Sequence, residues 1–278
     1  MRKPVQRTVG PDVARWENGM RDSQHGGQGD RSGEGLSALA RSVMARLVKR
    51  DGALQRPIDS AIVAALANAL TAADQSLFAA LKPELRRARI SEADLVDTYF
   101  PEVARLLGCD WAEDRAAFTE VTIGVARMQA IVRQIGRDWV SNSNARPDSP
   151  TVLLVLPPGE QHSFGLIVLA SQLRRQGISA QLQIGSGPAE LAALVQHKRF
   201  DCAMISVACE ERLELCAKVV KALRQGSGGQ LLVAVGGAVL EQAIDVEGVT
   251  RADVVTNDPM QALAAAQNRR AEPVQEAG

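Results

Sequence analysis

Residues 151–165 read TVLLVLPPGEQHSFG. An unbroken apolar run, 152–156, stops at two prolines and a glycine and passes into a polar loop. A strand with no polar residue in alternation is one covered on both faces, which means a parallel sheet flanked by helices. Pro157, Pro158 and Gly159 end the strand, and a helix is expected to start near His162. Read this way, the stretch is the first strand, loop and helix of an α/β domain, with Glu160, His162 and Gly165 on or beside the loop.

Towards the C-terminus the same alternation repeats. Short apolar or β-branched runs fall at 178–184 (ISAQLQI), 200–206 (FDCAMIS), 230–235 (QLLVAV) and 252–256 (ADVVT). Helical segments between them are expected to start near Gly187, Ala208 and Ala238, with a last one near Pro259. Alternating strand and helix predicts a doubly wound, flavodoxin- or Rossmann-like parallel sheet of about five strands. In that order strands one and three lie side by side, and ligands sit at their C-terminal ends. The residues that follow the strands are therefore the candidates for chemistry. They are Glu160, His162, Ser163 and Gly165 after the first, Ser206, Val207 and Ala208 at the end of the third, and Gly236-Gly237 after the fourth.

Towards the N-terminus the period becomes helical from about 58 to 140. Asp59 and Ser60 are capping types ahead of Ile62, Leu66, Ala69 and Leu70. Ser91 can cap the next run, Glu92 suits the positive helix end, and Gly108 is expected to end it. A further helix is read over 115–140. Several such helices make a bundle. We place an all-helical cap domain at 36–140, a polar, Pro-containing linker (SNSNARPDSP) at 141–150, and the α/β domain at 151–265. Residues 1–35, rich in Gly, Arg, Asp, Ser and Gln, read as a disordered arm, and 266–278 as a disordered tail. Between arm and bundle, 36–50 carries Leu36, Leu39, Val43 and Leu47 at helical spacing with Arg41, Arg46, Lys49 and Arg50. Two readings of this basic amphipathic helix are open: packing on a neighbour or second subunit, and a partner- or DNA-contacting arm.

Composition narrows the function classes. Lys plus Arg and Asp plus Glu are both 32, so no net field holds the chain on nucleic acid or an anionic membrane. No apolar stretch approaches a membrane span. Neither a helix-turn-helix nor a Walker loop is recognisable, so a direct DNA role would be auxiliary. Cys109, Cys202, Cys209 and Cys216 form no CxxC pair and read as reduced thiols of a cytoplasmic protein. For Cys209 two readings stay open: an inert thiol and a redox sensor near the pocket. His197 reads as part of a solvated last helical turn.

Glu160-x-His162-x-x-Gly165, then Ser206-x-Ala208, then Gly236-Gly237 resemble the signature of base-off, His-on cobalamin-binding domains: Asp-x-His-x-x-Gly, Ser-x-Leu, Gly-Gly. Glu stands for Asp and Ala208 for Leu. The resemblance implies that His162 ligates cobalt. Glu160 would hold its second ring nitrogen, and Ser206 would hydrogen-bond the buried base of the nucleotide tail. Gly165, Gly236 and Gly237 would leave room for that tail. The chemistry is consistent, since imidazole suits a borderline transition metal. A haem in a related pocket is not distinguished by these residues alone.

The helical region adds to the resemblance. Light-sensing adenosylcobalamin regulators carry Trp, nine residues, then Glu-His over the upper cobalt face. Trp111 matches the Trp, but Val121 and Thr122 occupy the Glu-His positions, so the upper-face His is missing. Trp111 is open to two readings, core and cofactor contact. Trp111, Phe118, the run 120–129 (EVTIGVARMQ) and 160–165 (EQHSFG) are most similar to the AerR/PpaA family of cobalamin-binding photosynthesis regulators of purple bacteria, over about 60–260. That resemblance implies a non-enzymatic, light-responsive antirepressor. It would bind adenosyl-, methyl- or hydroxocobalamin and act on a PpsR/CrtJ-type repressor of photosystem genes. The alternative is a corrinoid protein that carries methyl groups for a methyltransferase.

Overall fold

The computed structural model describes residues 57–142 and 149–271, with side chains of 57–137 and 149–270. The expected arm (1–35), the basic segment 36–50, most of the linker and the tail from 272 lie outside the described residues.

The helical layer is built from α1 (Ser60–Thr71), α2 (Ser76–Arg87), α3 (Phe100–Ala112) and α4 (Phe118–Asn142). Asp59 caps α1 by accepting the Ala61 N–H at 2.9 Å. Ser91 opens a helical turn, Glu92–Asp94, through a capping box with Asp94. That turn continues as a π-helical turn, Leu95–Tyr99, into α3. Gly108 does not end this helix. It lies inside α3, where a Cβ would meet nothing, and the chain leaves the helix at Glu113. Helix α2, with Pro83 inside it, falls within the span 58–140 read as helical.

The sheet follows: β1 (Thr151–Leu156), β2 (Ser179–Ile184), β3 (Cys202–Ser206), β4 (Leu232–Gly236) and β5 (Val254–Val255). All pairs are parallel and the order is β2-β1-β3-β4-β5, the doubly wound arrangement expected from the sequence. The crossover helices are α5 (Phe164–Arg175), α6 (Pro188–His197), α7 (Leu213–Gly226) and α8 (Val246–Thr250), and α9 (Pro259–Ala271) follows β5. The helix expected from Ala238 is instead a short 3-10 turn, Ala238–Glu241, followed by α8. Helix α9 runs on past residue 265, and α4 runs on past 140.

Alternation along the strands divides the core. Leu153, Val155, Ala203, Ile205, Val233 and Val235 face α6 and α7. Val152, Leu154, Leu156, Cys202, Met204 and Ala234 face α5 and α9. Helix α5 has a second buried face. Its Ile167 and Val168 share a cluster with Phe100, Met128 and Val132, so the helical layer packs directly on α5. Arg175, at the end of α5, pairs with Asp97 of the π-helical turn across this contact. Among the described residues no helix is long and apolar enough to cross a membrane.

Candidate functional site

The order of strands reverses between β1 and β3, and the loops after these two strands form the site. After β1, Gly159 turns the chain with φ +78, and a Cβ there would strike the Arg212 guanidinium. The next residue, Glu160, points inward, with a side chain only 4% exposed. Its Oε1 accepts the Gln161 N–H at 2.9 Å and the His162 N–H at 3.2 Å, and lies 2.8 Å from His162 Nδ1. Its Oε2 accepts the Ala208 N–H from the β3 loop at 3.0 Å. Burial alone would push this carboxyl up. The His162 ring and the N–H groups of Ala208, His162 and Gln161 outweigh it, so the pKa falls below the usual carboxylate range.

The imidazole of His162 is therefore held by one nitrogen while the ring itself is 79% exposed. Nδ1 on a carboxylate leaves Nε2 as the metal-binding nitrogen, the arrangement in which a carboxylate orients a histidine ligand. Among the described residues no group of three His, Cys, Asp or Glu side chains converges. The site thus offers a metal one protein ligand. That suits an ion already held by a macrocycle and does not suit a bare ion.

Beside this loop a cleft of about 330 Å³ runs between α5 and α9 along the ends of β3, β4 and β5. Gly165, Ser206, Gly236, Gly237, Asn257 and Ala262 are among its walls. A Cβ on Gly165 would find nothing within 4 Å, so this glycine borders open space. Gly236 and Gly237 also border the cleft, but their missing Cβ atoms answer first to the protein. At Gly236 a Cβ would lie 2.5 Å from the Thr256 carbonyl oxygen, and at Gly237, φ +111, it would fall on the Val207 backbone. The β4 and β5 loops are pinned there by Asn257. It accepts the Gly237 N–H at 2.6 Å and donates to the Gly237 carbonyl at 3.3 Å.

The structure brings Glu160, His162, Ser163 and Ala208 together on adjoining loops, and Gly165, Ser206, Gly236 and Gly237 around the cleft. Val207 contributes only backbone: it is fully buried, donates to the Gly236 carbonyl and accepts from Val239. Trp111 and Thr122 lie in the helical layer and line no part of the cleft. Trp111 is not a core residue. It is 52% exposed, its ring centroid 6.3 Å from that of the exposed Phe118. Thr122 is exposed, its hydroxyl bonded to the Phe118 carbonyl. Sequence reasoning gave no role to Gln129, whose side-chain amide donates to Ser163 Oγ at 3.0 Å. Nor did it give one to Arg212 or Asn257.

No family model matches the chain. Over 175 residues it is 38% identical to the uncharacterized 20.5 kDa protein in the bchF-crtJ intergenic region of Rhodobacter capsulatus, a match covering 63% of this chain and 91% of that protein. The fold is that of the monomethylamine corrinoid protein of Methanosarcina barkeri, with TM-score 0.57 at 12% identity over 73% of this chain and 95% of that one. A cobalamin-binding protein from Desulfitobacterium hafniense matches with TM-score 0.38 and 15% identity, over 77% of this chain and 99% of that chain.

Proposed function

Because the chain belongs to the family of the uncharacterized 20.5 kDa protein of the Rhodobacter capsulatus bchF-crtJ intergenic region, we propose that it is a cobalamin-binding, light-responsive regulator. In this reading His162 is the protein ligand to cobalt, and the output is relief of repression by a PpsR/CrtJ-type repressor. The observation that carries the first half is the Glu160–His162 pair: a buried carboxylate fixing Nδ1 of an exposed imidazole at the switch point of the sheet. The second half is supported by the relative's place beside crtJ, a gene name that matches the repressor type the sequence resemblance implies.

When bound, cobalamin would be held through its cobalt by His162 and would supply a cobalt–ligand bond that light can break. The residues of this chain fit such a group. Glu160 keeps the proton on Nδ1, so Nε2 presents its lone pair. The cleft beside the loop, about 330 Å³, is where the lower arm would lie in the base-off form, with open space at Gly165 and Ser206 in its wall. The exposed aromatic pair Trp111–Phe118 gives the helical layer an apolar surface that would suit a planar apolar group. The Glu160 carboxylate beside the imidazole serves in this reading to orient a ligand, and the role we assign is binding and signalling.

The test is spectral. The full chain is loaded with hydroxo-, methyl- and adenosylcobalamin in the dark and in light, and His162→Ala is compared with wild type. Wild type should bind base-off with a histidine on cobalt; His162→Ala should lose that spectrum while keeping its fold. Loaded protein is then added to a purified PpsR/CrtJ-type repressor on its operator, which it should release in one illumination state. Retention of the histidine-ligated spectrum by His162→Ala overturns the ligand assignment. An unaffected repressor, with methyl transfer to an added methyltransferase instead, favours the carrier alternative.

A further inference from the structure

The loop bearing His162 is held from two sides, and only one of them belongs to the sheet. Glu160 anchors it to the β3 loop. On the other side the partner is Ser163, which directly follows His162 and precedes α5. A serine at this position usually turns its hydroxyl back to accept a helix N–H. Here Ser163 has αR backbone angles and makes no side-chain cap bond. Its hydroxyl accepts from Gln129 of α4 instead, 34 positions earlier in the chain.

Gln129 cannot drift freely, because its neighbour Met128 is fully buried in the cluster that joins α4 to α5. Thr122 lies seven residues, or about two turns, before Gln129 and so on the same face of α4, roughly 10 Å along the axis. There it stands beside the exposed Phe118 and Trp111. One helix therefore carries an exposed aromatic and hydroxyl surface at one end and a hydrogen bond to the imidazole loop two turns further on.

We propose that Gln129 is a positioning residue that ties α4 to the His162 loop, so that displacement of the helical layer is transmitted to the imidazole. This rests on the ligand role proposed above for His162. If the layer shifts by more than a hydrogen bond tolerates, the Gln129 bond breaks and, of these two anchors, the loop keeps Glu160. The imidazole then retains its tautomer but loses part of its fixed direction.

Gln129→Leu keeps the bulk and removes the amide; Ser163→Ala removes the acceptor. In the cofactor-free full chain, backbone amides of 160–164 should exchange about fivefold faster in either variant, the effect of one net hydrogen bond. The double variant should show no further effect. Amides of the buried strands should be unchanged, which separates the effect from global unfolding. Gln129→Glu should partly restore protection, because the Ser163 hydroxyl can donate to a carboxylate. With hydroxocobalamin bound, the acid-induced loss of the histidine-ligated spectrum should occur at higher pH in Gln129→Leu than in wild type. If Gln129→Leu matches wild type in both exchange and spectrum while cobalamin binds normally, the coupling is wrong. A wild-type chain that takes up no hydroxocobalamin sinks the proposed function and this coupling with it.

Discussion

Glu160 Oε2 accepts the Ala208 N–H at 3.0 Å while Oε1 faces His162 Nδ1 at 2.8 Å, so one carboxylate spans the gap between the β1 and β3 loops and orients the candidate ligand. The extra methylene of Glu over Asp suits this double reach. Glu160→Asp should keep one of the two contacts and lose the other. Glu160→Gln would present an amide N–H either to Nδ1 or to the Ala208 N–H. Loss of a carboxylate behind a histidine ligand typically weakens metal binding 10–100-fold. Titration of hydroxocobalamin, followed by absorbance, should give a loss in that range for Glu160→Gln and a smaller one for Glu160→Asp.

The same carboxylate makes a pH signature. Its folded pKa is depressed despite burial, because the His162 ring and three N–H groups favour the ionised form. A depressed carboxyl contributes stability above its unfolded pKa, near 4.5, and loses it as pH falls through the folded value. The Tm difference between wild type and Glu160→Gln should therefore be constant above about pH 5 and shrink only below the ordinary carboxylate range. A difference that instead changes between pH 6 and 8 would mean another group is responsible.

Local chemistry decided what could be read from the sequence. The run 152–156 announced a buried strand because every side chain is apolar, and the structure leaves all five residues covered. Glu160 and His162 were legible because they are two residues apart, at a strand end. Contacts between distant elements were not. Gln129 meets Ser163, Asp97 meets Arg175 and Asn257 meets Gly237 across separations that no periodicity records. The sequence rule that glycine ends helices failed at Gly108 because nothing near it demands a left-handed turn, whereas Asp114 and Arg115 make the actual turn. The helix expected near Ala238 gives way to a 3-10 turn because the apolar Val239 and Leu240 serve a tight turn against Val207.

Two glycines of one motif should answer substitution with opposite signs. Gly165 lies in the first turn of α5 beside open space, so Gly165→Ala should stabilise the free protein by about 0.5–1 kcal/mol. A bulkier Gly165→Val should leave the fold standing and block cobalamin uptake. Gly237→Ala forces φ +111 on a residue with a Cβ and drives that atom into the Val207 backbone. A loss of about 1–3 kcal/mol or more is expected. Denaturant unfolding beside a cobalamin titration measures both. Should Gly165→Val bind as wild type does, the cleft is not the path of the lower arm.

Thiol reactivity discriminates the readings of the cysteines. Burial pushes Cys202 up to about 12, aided by Asp201 and Asp253, and burial likewise pushes Cys216 to about 12. At pH 8 only about one thiol in ten thousand is then ionised. Cys209 is raised too, first by its hydrogen bond to the Glu211 carboxylate, which argues against a reactive sensor thiol. Iodoacetamide on the folded chain should label the exposed Cys109 first and Cys209 slowly. Cys202 and Cys216 should react only on unfolding, as peptide mass mapping would show. Fast labelling of Cys209 would reopen the redox reading.

The Asp97–Arg175 pair tests whether the helical layer and the sheet unfold as one body. Both side chains are less than a fifth exposed, and the pair sits where the π-helical turn meets the end of α5. Removing one member of a largely buried pair costs about 3–5 kcal/mol at full burial, and less where solvent or another partner reaches the remaining charge. Arg175→Met should therefore lower stability, by less than the full-burial figure. Because Ile167 and Val168 bind the helical layer to α5 independently of this pair, the unfolding transition should remain single, shifted to lower denaturant with its slope unchanged. A split into two transitions would show that the ion pair, and not the shared apolar cluster, keeps the layers cooperative.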